Sequence, residues 1–206
     1  GDCYYNLAEY DSSLVYYRKI FTSFPNSQYV FDAIRGIQDS YIMKDQPETA
    51  ISEIDKFLSV NSKSKYADQI AFKKGEVYYG IGSYQPAIDA YTAFVRAYPQ
   101  SALVPDAHYW IGKSYLNSSR PAEAKNSFKT VSDSYLTSEV GIDAVIELGN
   151  IFISEEDYKS AESIFDRAVK TLPDSRRIPE ILFLKAGVYL KTNNISKAYD
   201  AYNDII

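Results

Sequence analysis

The fold is decided by residues 75–91, which read GEVYYGIGSYQPAIDAY. Gly75 and Tyr78 lie one helical turn apart in the first half of this stretch, and Ala87 and Tyr91 do the same in the second half. Between them, the letters GIGSY supply glycines that end one helix and allow a tight turn into the next. The stretch therefore predicts two antiparallel helices joined by a short turn.

The same pattern recurs in steps of 37 residues along the whole chain. A small residue stands at Ser13, Ala50, Ala87, Ala124, Ala161 and Ala198. An aromatic residue stands at Tyr4, Tyr41, Tyr78, Tyr115, Phe152 and Tyr189. A large apolar residue stands at Tyr17, Ile54, Tyr91, Phe128, Phe165 and Tyr202. Serines recur at Ser27, Ser64, Ser101, Ser138 and Ser175, each just before a predicted first helix, where a hydroxyl can accept a free backbone N–H. A register kept by four columns indicates a repeat protein.

One helix pair cannot bury its apolar face alone, so we expect the repeats to stack into a solenoid. The predicted fold is an all-α right-handed superhelix of five to six antiparallel helix pairs. It forms one domain, residues 1–206, with repeats at about 1–27, 28–64, 65–101, 102–138, 139–175 and 176–206.

Glycines inside the first helices indicate close packing. Gly75, Gly112 and Gly149 lie in the middle of a predicted helix, where each costs roughly 1 kcal/mol relative to alanine. We expect the small column of the second helix to face them, and an aromatic residue to fill the gap between neighbouring repeats. A weaker period of 74 places Pro25, Pro99 and Pro173 in alternate connectors, which predicts that alternate connectors differ in shape.

Composition excludes several classes of function. The chain has 206 residues and a net charge of −5, from 22 Lys and Arg against 27 Asp and Glu, with no basic cluster, so nucleic acid is not an expected partner. No apolar run is long enough to insert into a membrane. One Cys and one His exclude an intrachain disulfide and a metal site built from several thiolates or imidazoles.

These columns resemble the tetratricopeptide repeat (TPR) family. In the fourth repeat the resemblance is carried by Gly112, Tyr115, Ala124 and Phe128, and the fifth repeats it from Leu148 to Pro173. The usual period of that family is about 34 residues. The longer period and the Pro-x-Ser endings are similar to TPR proteins of the bacterial cell envelope, namely the Tol–Pal-associated coordinator and the lipoprotein of the outer-membrane barrel assembly machinery. The resemblance implies a periplasmic or envelope location, and the incomplete repeats at both ends suggest a fragment of a longer chain.

No catalytic residue, metal ligand or cofactor is predicted. His108, the sole imidazole, occupies a core position of the fourth repeat and is expected to be partly buried by packing. It has no second histidine or nucleophile motif beside it. Glu155, Glu156 and Asp157 fall in a turn and are expected to be solvated. The sequence favours a protein that is not an enzyme.

In the families that this chain resembles, first helices line the concave face and present fixed positions to a peptide. Four columns correspond to those positions here. The first reads Asp32, Gln69, Asp106, Asp143 and Glu180, and the second Arg35, Phe72, Tyr109, Ile146 and Phe183. The third reads Asp39, Glu76, Lys113, Asn150 and Gly187, and the fourth Ile42, Tyr79, Leu116, Ile153 and Leu190. They predict a groove with an apolar floor and an acidic edge. The alternative is that the apolar columns are core and the acids only complement helix dipoles.

The predicted peptide-binding residues come from these columns. They are Asp32, Arg35, Asp39, Phe72, Glu76, Tyr79, Asp106, Tyr109, Lys113 and Leu116. Co-chaperones of the family that clamp acidic tails place Lys and Asn at the second and third columns, and this chain does not. We therefore expect a partner segment that is apolar or basic.

The favoured function is a non-catalytic scaffold that binds a protein or peptide. Two alternatives stay open on the sequence alone. The solenoid could be an architectural spacer or dimerisation element, since some self-association is expected from the apolar Ile205 and Ile206. It could also be the regulatory domain of a larger enzyme or sensor protein.

Overall fold

A computed structural model describes residues 1–205. Over this range the chain forms twelve α-helices and no strand. The predicted all-α class and the helix-pair architecture are confirmed.

The chain divides into two compact bodies. Body 1 comprises Gly1–Ala107, and body 2 begins at His108. Body 1 contains α1 (Asp2–Asn6), α2 (Tyr10–Ser23), α3 (Val30–Met43), α4 (Pro47–Val60), α5 (Ala67–Gly80) and α6 (Tyr84–Ala97). The division falls within α7 (Val104–Asn117). Body 2 continues with α8 (Pro121–Ser134), α9 (Glu139–Ser154), α10 (Tyr158–Thr171), α11 (Ile178–Lys191) and α12 (Ile195–Asn203).

In body 1, consecutive helices pack against one another. The first helices of successive pairs also touch directly, α1 with α3 and α3 with α5. They form a shared face, which we call the first-helix face. In body 2, each helix from α8 to α12 contacts the next. The small column is buried in both bodies, with every member at most 2% exposed: Ser13, Ala50, Ala87, Ala124, Ala161 and Ala198.

The turn inside each pair has one geometry. Its left-handed residue recurs every 37 positions, with φ between 56° and 75°, at Ala8, Asp45, Gly82, Ser119, Glu156 and Asn193. The next residue donates its N–H to the carbonyl of the aromatic column, as Ser83 does to Tyr78 at 2.9 Å. This closure is the Schellman motif, which satisfies carbonyls at a helix end. Gly82, Asp45 and Asn193 are of residue types that adopt this conformation readily, whereas Ala8, Ser119 and Glu156 are not, so the tertiary fold imposes the turn on those three pairs.

The serine column caps the connectors between pairs. Ser138 accepts a hydrogen bond from the N–H of Gly141 at 3.1 Å and is the N-cap of α9. The other serines accept instead from the N–H two residues on, inside the turn before the helix, as Ser64 does from Tyr66 at 3.3 Å. All five serines donate their own N–H to the carbonyl three residues back, with or without proline in the connector. The backbone at the end of the second helix does alternate, as expected: ψ is 54°, 58° and 52° at Phe24, Tyr98 and Leu172, which precede the prolines, but 35° and 26° at Asn61 and Tyr135.

The glycines make room for rings, both inside a pair and between neighbouring pairs. A Cβ on Gly112 would lie 2.7 Å from the Phe128 ring, and a Cβ on Gly75 would lie within 3.0 Å of the Tyr91 ring. Each of these rings belongs to the second helix of the same pair and fills space inside it. Between pairs, the Tyr17 ring on α2 would lie within 3.0 Å of a Cβ on Gly36 of α3, so an aromatic residue also fills the gap between neighbouring repeats, as expected.

Candidate functional site

The first-helix face of body 1 carries one carboxylate per helix. Asp2 on α1, Asp39 on α3 and Glu76 on α5 are spaced by 37 residues and lie on helices that touch. Asp39 is half-buried, and this burial raises its pKa above the ordinary range, although the cations Arg35 and Lys73 act in the opposite direction. In this column Asp39 and Glu76 are therefore partly shielded from water, whereas Asp2 is exposed.

Two of these acids follow a glycine that packs against a tyrosine ring. A Cβ on Gly1 or on Gly75 would lie within 3.0 Å of the ring of Tyr17 or Tyr91, respectively. The Tyr17 hydroxyl donates a hydrogen bond of 2.5 Å to Asp2, and burial together with this contact raises the pKa of Tyr17 to about 12. The glycine, the ring and the acid therefore form one local unit that recurs 74 residues later.

In the later copy the hydroxyl has no hydrogen-bond partner. Tyr91 is fully buried, and its hydroxyl neither donates nor accepts a hydrogen bond. Burial raises its pKa, and the nearby Glu76 and Tyr79 add to that effect. The carboxylate of Glu76 pairs instead with Lys73, one turn earlier on α5.

A cavity of about 260 Å³ opens beside Glu76. Its apolar lining includes Phe31, Phe72 and Leu103, and its polar lining includes Asp68, Lys73 and Glu76. Phe72 is only 6% exposed, because it packs against Tyr91 and Phe94 with ring centroids 5.1 and 5.4 Å away. A partner could touch only the edge of Phe72, which also belongs to the core of its pair.

A larger cavity, of about 660 Å³, lies between α1 and α3. Asp32, Arg35 and Asp39 line it together with three tyrosines, among them Tyr5 and Tyr29. Arg35 pairs with Asp32 at 3.2 Å, and both side chains are exposed. The structure thus gathers the predicted residues of α3 at this cavity, whereas Phe72 and Glu76 of α5 meet at the smaller one.

The other predicted residues of body 1 line neither cavity. The Tyr79 ring packs edge-on against Tyr84 at 5.7 Å, across the turn between α5 and α6. Asp106 is half-buried in the first turn of α7.

In body 2 the predicted residues are tied to one another. The Tyr109 ring packs against Phe128, with centroids 5.5 Å apart, and Leu116 packs against the core of this body. Lys113 pairs with Glu147 on α9 at 2.5 Å, and the Tyr109 hydroxyl donates to the same carboxylate at 3.4 Å. The charge of Lys113 is therefore compensated within body 2.

The sequence prediction omitted the repeat position that supplies the ion-pair partners of both Glu76 and Lys113. Lys73 and Glu147 occupy one repeat position, which the four chosen columns did not include. Lys73 lies three residues before Glu76, a spacing that places two side chains on one side of a helix. That spacing could have revealed the pair with Glu76. The pairing of Glu147 with Lys113 joins two helices and has no such local signal.

The described part of the chain offers little for catalysis. His108 is half-buried, as expected, and burial lowers its pKa. Cys3 is exposed as a free thiol. Among residues 1–205, no three His, Cys, Asp or Glu side chains are grouped as metal ligands. Nor does this range contain a helix with the length and apolarity needed to cross a membrane.

Helix pairs that repeat at 37 residues, with a recurring contact between a glycine and a ring, define a helical repeat protein. A tetratricopeptide repeat model matches residues 72–124 and 109–176, and a second model of the same repeat matches residues 1–27. The chain belongs to the tetratricopeptide repeat family. Proteins of this family mediate protein–protein interactions, and their fold is typically non-catalytic.

Solved structures share the fold at low identity. BtubC from P. vanneervenii is 13% identical, with a TM-score of 0.70 over 96% of this chain and 87% of its own. PilF from Pseudomonas aeruginosa is 18% identical, with a TM-score of 0.60 over 96% and 83%. YrrB, described as a TPR protein with an unusual peptide-binding site, is 17% identical, with a TM-score of 0.57 over 92% and 90%. A search of curated proteins gave no significant match.

Proposed function

We propose that this chain is a non-catalytic scaffold and that the first-helix face of body 1 binds an apolar and basic segment of a partner protein. The observation that carries the proposal is the row of carboxylates Asp2, Asp39 and Glu76 beside cavities with aromatic walls. Asp32 and Asp68 add negative charge at the same cavities, against Arg35 and Lys73.

Charge and shape support the same class of ligand. A cationic side chain would gain attraction from the acids, and these interactions strengthen where water is partly excluded. Apolar side chains of the ligand would bury against Phe31 and the edge of Phe72. An acidic segment would bring like charges together, which disfavours binding.

Blocked peptides test this proposal by calorimetry. Three peptides share a sequence of Ala and Leu and differ at one central position, which is Arg, Gln or Asp. We expect the Arg peptide to bind tightest and the Asp peptide weakest. Glu76→Lys should weaken the Arg peptide by about tenfold, since a lost charge-assisted contact is worth about 1.5 kcal/mol.

Glu156→Lys is the matched control, because Glu156 is an exposed residue of the α9–α10 turn and receives the same change of charge. Phe72→Ala is a poor test, because it would also open the core. Tightest binding of the Asp peptide, or equal effects of the two Lys variants, would contradict the proposal.

A cell-envelope location is part of the proposal and is supported by the 37-residue repeat and its Pro-x-Ser connectors. Fractionation of source cells tests it, and recovery of the protein with cytosolic markers would refute it. A second candidate role is self-association. Body 2 favours it through large exposed apolar side chains on α11 and α12, with Phe183 61% and Tyr199 67% exposed. Light scattering that gives a monomer mass at every concentration would exclude this role.

A further inference from the structure

A cation of the protein itself already occupies part of the smaller cavity of body 1. The Lys73 ammonium lies 5.2 Å from the centroid of the Phe31 ring on α3 and pairs with Glu76 on its own helix. The Lys73 side chain is only 17% exposed, so the ammonium has lost much of its hydration. An aromatic face and a carboxylate together form a site for a cation.

The cation site adjoins space for an apolar side chain. Phe72 and Leu103 line the same cavity of about 260 Å³, and Asp68 adds a second carboxylate. Asp68 accepts a hydrogen bond of 2.7 Å from Ser101, which fixes its position. A ligand that fills this cavity would therefore present a bulky apolar group beside a positive charge.

Lys73 is a replaceable occupant. A cation of the partner would make the same two contacts that Lys73 makes, with the Phe31 ring and the Glu76 carboxylate, so the exchange conserves them. In the first pair the Tyr17 hydroxyl donates to Asp2, whereas the buried hydroxyl of Tyr91 has no partner while Glu76 pairs with Lys73. The ion pair of Lys73 with Glu76 is therefore not reinforced by a hydrogen bond from Tyr91.

We propose that the Lys73 ammonium occupies the position that an arginine or lysine side chain of the partner takes when the partner binds. On binding, the cation of the partner lies against Phe31 and Glu76, its neighbouring apolar side chain enters the cavity over Phe72, and Lys73 moves into solvent. The inference rests on the proposed function and specifies its ligand as a cationic residue adjacent to a bulky apolar one. Lys73 then lowers affinity for all ligands of this kind.

Lys73→Ala and Lys74→Ala test this inference as a matched pair. The two changes remove the same charge from adjacent positions of α5. Lys74 pairs with Asp55 on α4 at 2.7 Å and does not line the cavity. The probes are the Arg and Gln peptides, with leucine next to the variable position, and the measurement is calorimetry on the whole chain.

Removing the Lys73 ammonium should strengthen binding of the Arg peptide but not of the Gln peptide. We expect Lys73→Ala to bind it about tenfold more tightly than Lys74→Ala does, since a desolvated cation–π contact with its ion pair exceeds 1.4 kcal/mol. The two variants should bind the Gln peptide equally. Adding Glu76→Gln to Lys73→Ala should remove the gain.

The outcomes separate this inference from the proposed function. If the Arg peptide binds wild type more tightly than the Asp peptide but the two lysine variants do not differ, the inference is overturned and the proposed function stands. If no peptide binds any variant, both are overturned. A gain with Lys73→Ala that is equal for the Arg and Gln peptides also overturns the inference, because it would reflect only the larger cavity.

Discussion

Body 1 and body 2 share one packing contact but differ in the polar groups beside it. In both, a ring of the second helix packs against a glycine of the first helix. In body 1 the rings are Tyr17 and Tyr91, and the residues after the glycines Gly1 and Gly75 are acidic; Tyr17 also packs against Gly36, which is followed by Ile37. In body 2 they are Phe128 and Phe165, and the residues after the glycines are Lys113 and Asn150.

The difference shows how a repeat can keep its core while changing its surface. In both bodies the ring occupies the space that a side chain at the glycine position would otherwise take. A hydroxyl at the tip of a buried ring requires an acceptor. The acid after the glycine supplies that acceptor for Tyr17. The phenylalanine rings of body 2 have no hydroxyl and need no acceptor. Where a ring packs against a glycine of its own pair, tyrosine accompanies an acid and phenylalanine does not; in the second pair Asp39 is acidic although Ile54 stands in place of the ring.

The largest expected effect comes from a substitution that disrupts the glycine–ring contact, which both bodies share. Gly112→Leu places a side chain where a Cβ alone would lie 2.7 Å from Phe128, so overpacking should cost about 1–3 kcal/mol. Thermal denaturation should show a lower midpoint. Gly187→Leu is the control, because no heavy atom lies within 4 Å of a Cβ there. An unchanged midpoint for Gly112→Leu would show that the glycine–ring contact is not tight.

The next largest effect comes from removing the tyrosine hydroxyl, which the glycine-packed rings of body 1 have and those of body 2 lack. Tyr17→Phe deletes a hydrogen bond to a carboxylate and should cost about 1–2 kcal/mol in the free energy of unfolding. Tyr91→Phe deletes a buried hydroxyl without a partner, so it should leave stability unchanged or raise it. Chemical denaturation of both variants measures the contrast. Equal losses would mean that the Tyr91 hydroxyl has an acceptor in solution.

The smallest effect concerns His108 of body 2. Its pKa is lowered by burial from an ordinary value of 6.5, so the unfolded chain binds a proton more readily than the folded chain does. Stability that is fully present above pH 6.5 should therefore decline as the pH falls through 6.5 toward the folded-state pKa. His108→Gln should reduce this decline in denaturation series at several pH values. An identical pH profile for both proteins would contradict a buried neutral imidazole.

The candidate site was only partly predictable. Column positions located Asp39, Phe72 and Glu76 on helices that touch, because a repeat places equivalent residues on one face. They could not show that Phe72 would be buried by Tyr91 and Phe94, since that depends on contacts between helices. Whether these residues bind a peptide stays a prediction that the peptide series will test.

By itself the sequence determined the repeat: its period, the helix pair and the residues facing the core. These follow from local periodicity and from the need of each amphipathic helix to bury one face. Tertiary structure alone decided which charged and aromatic side chains meet across helices. Lys73 reaches Phe31 across two helices, and Lys113 reaches Glu147 from α7 to α9. Such pairings join residues more than 30 positions apart, so their geometry is fixed by stacking and not by local spacing.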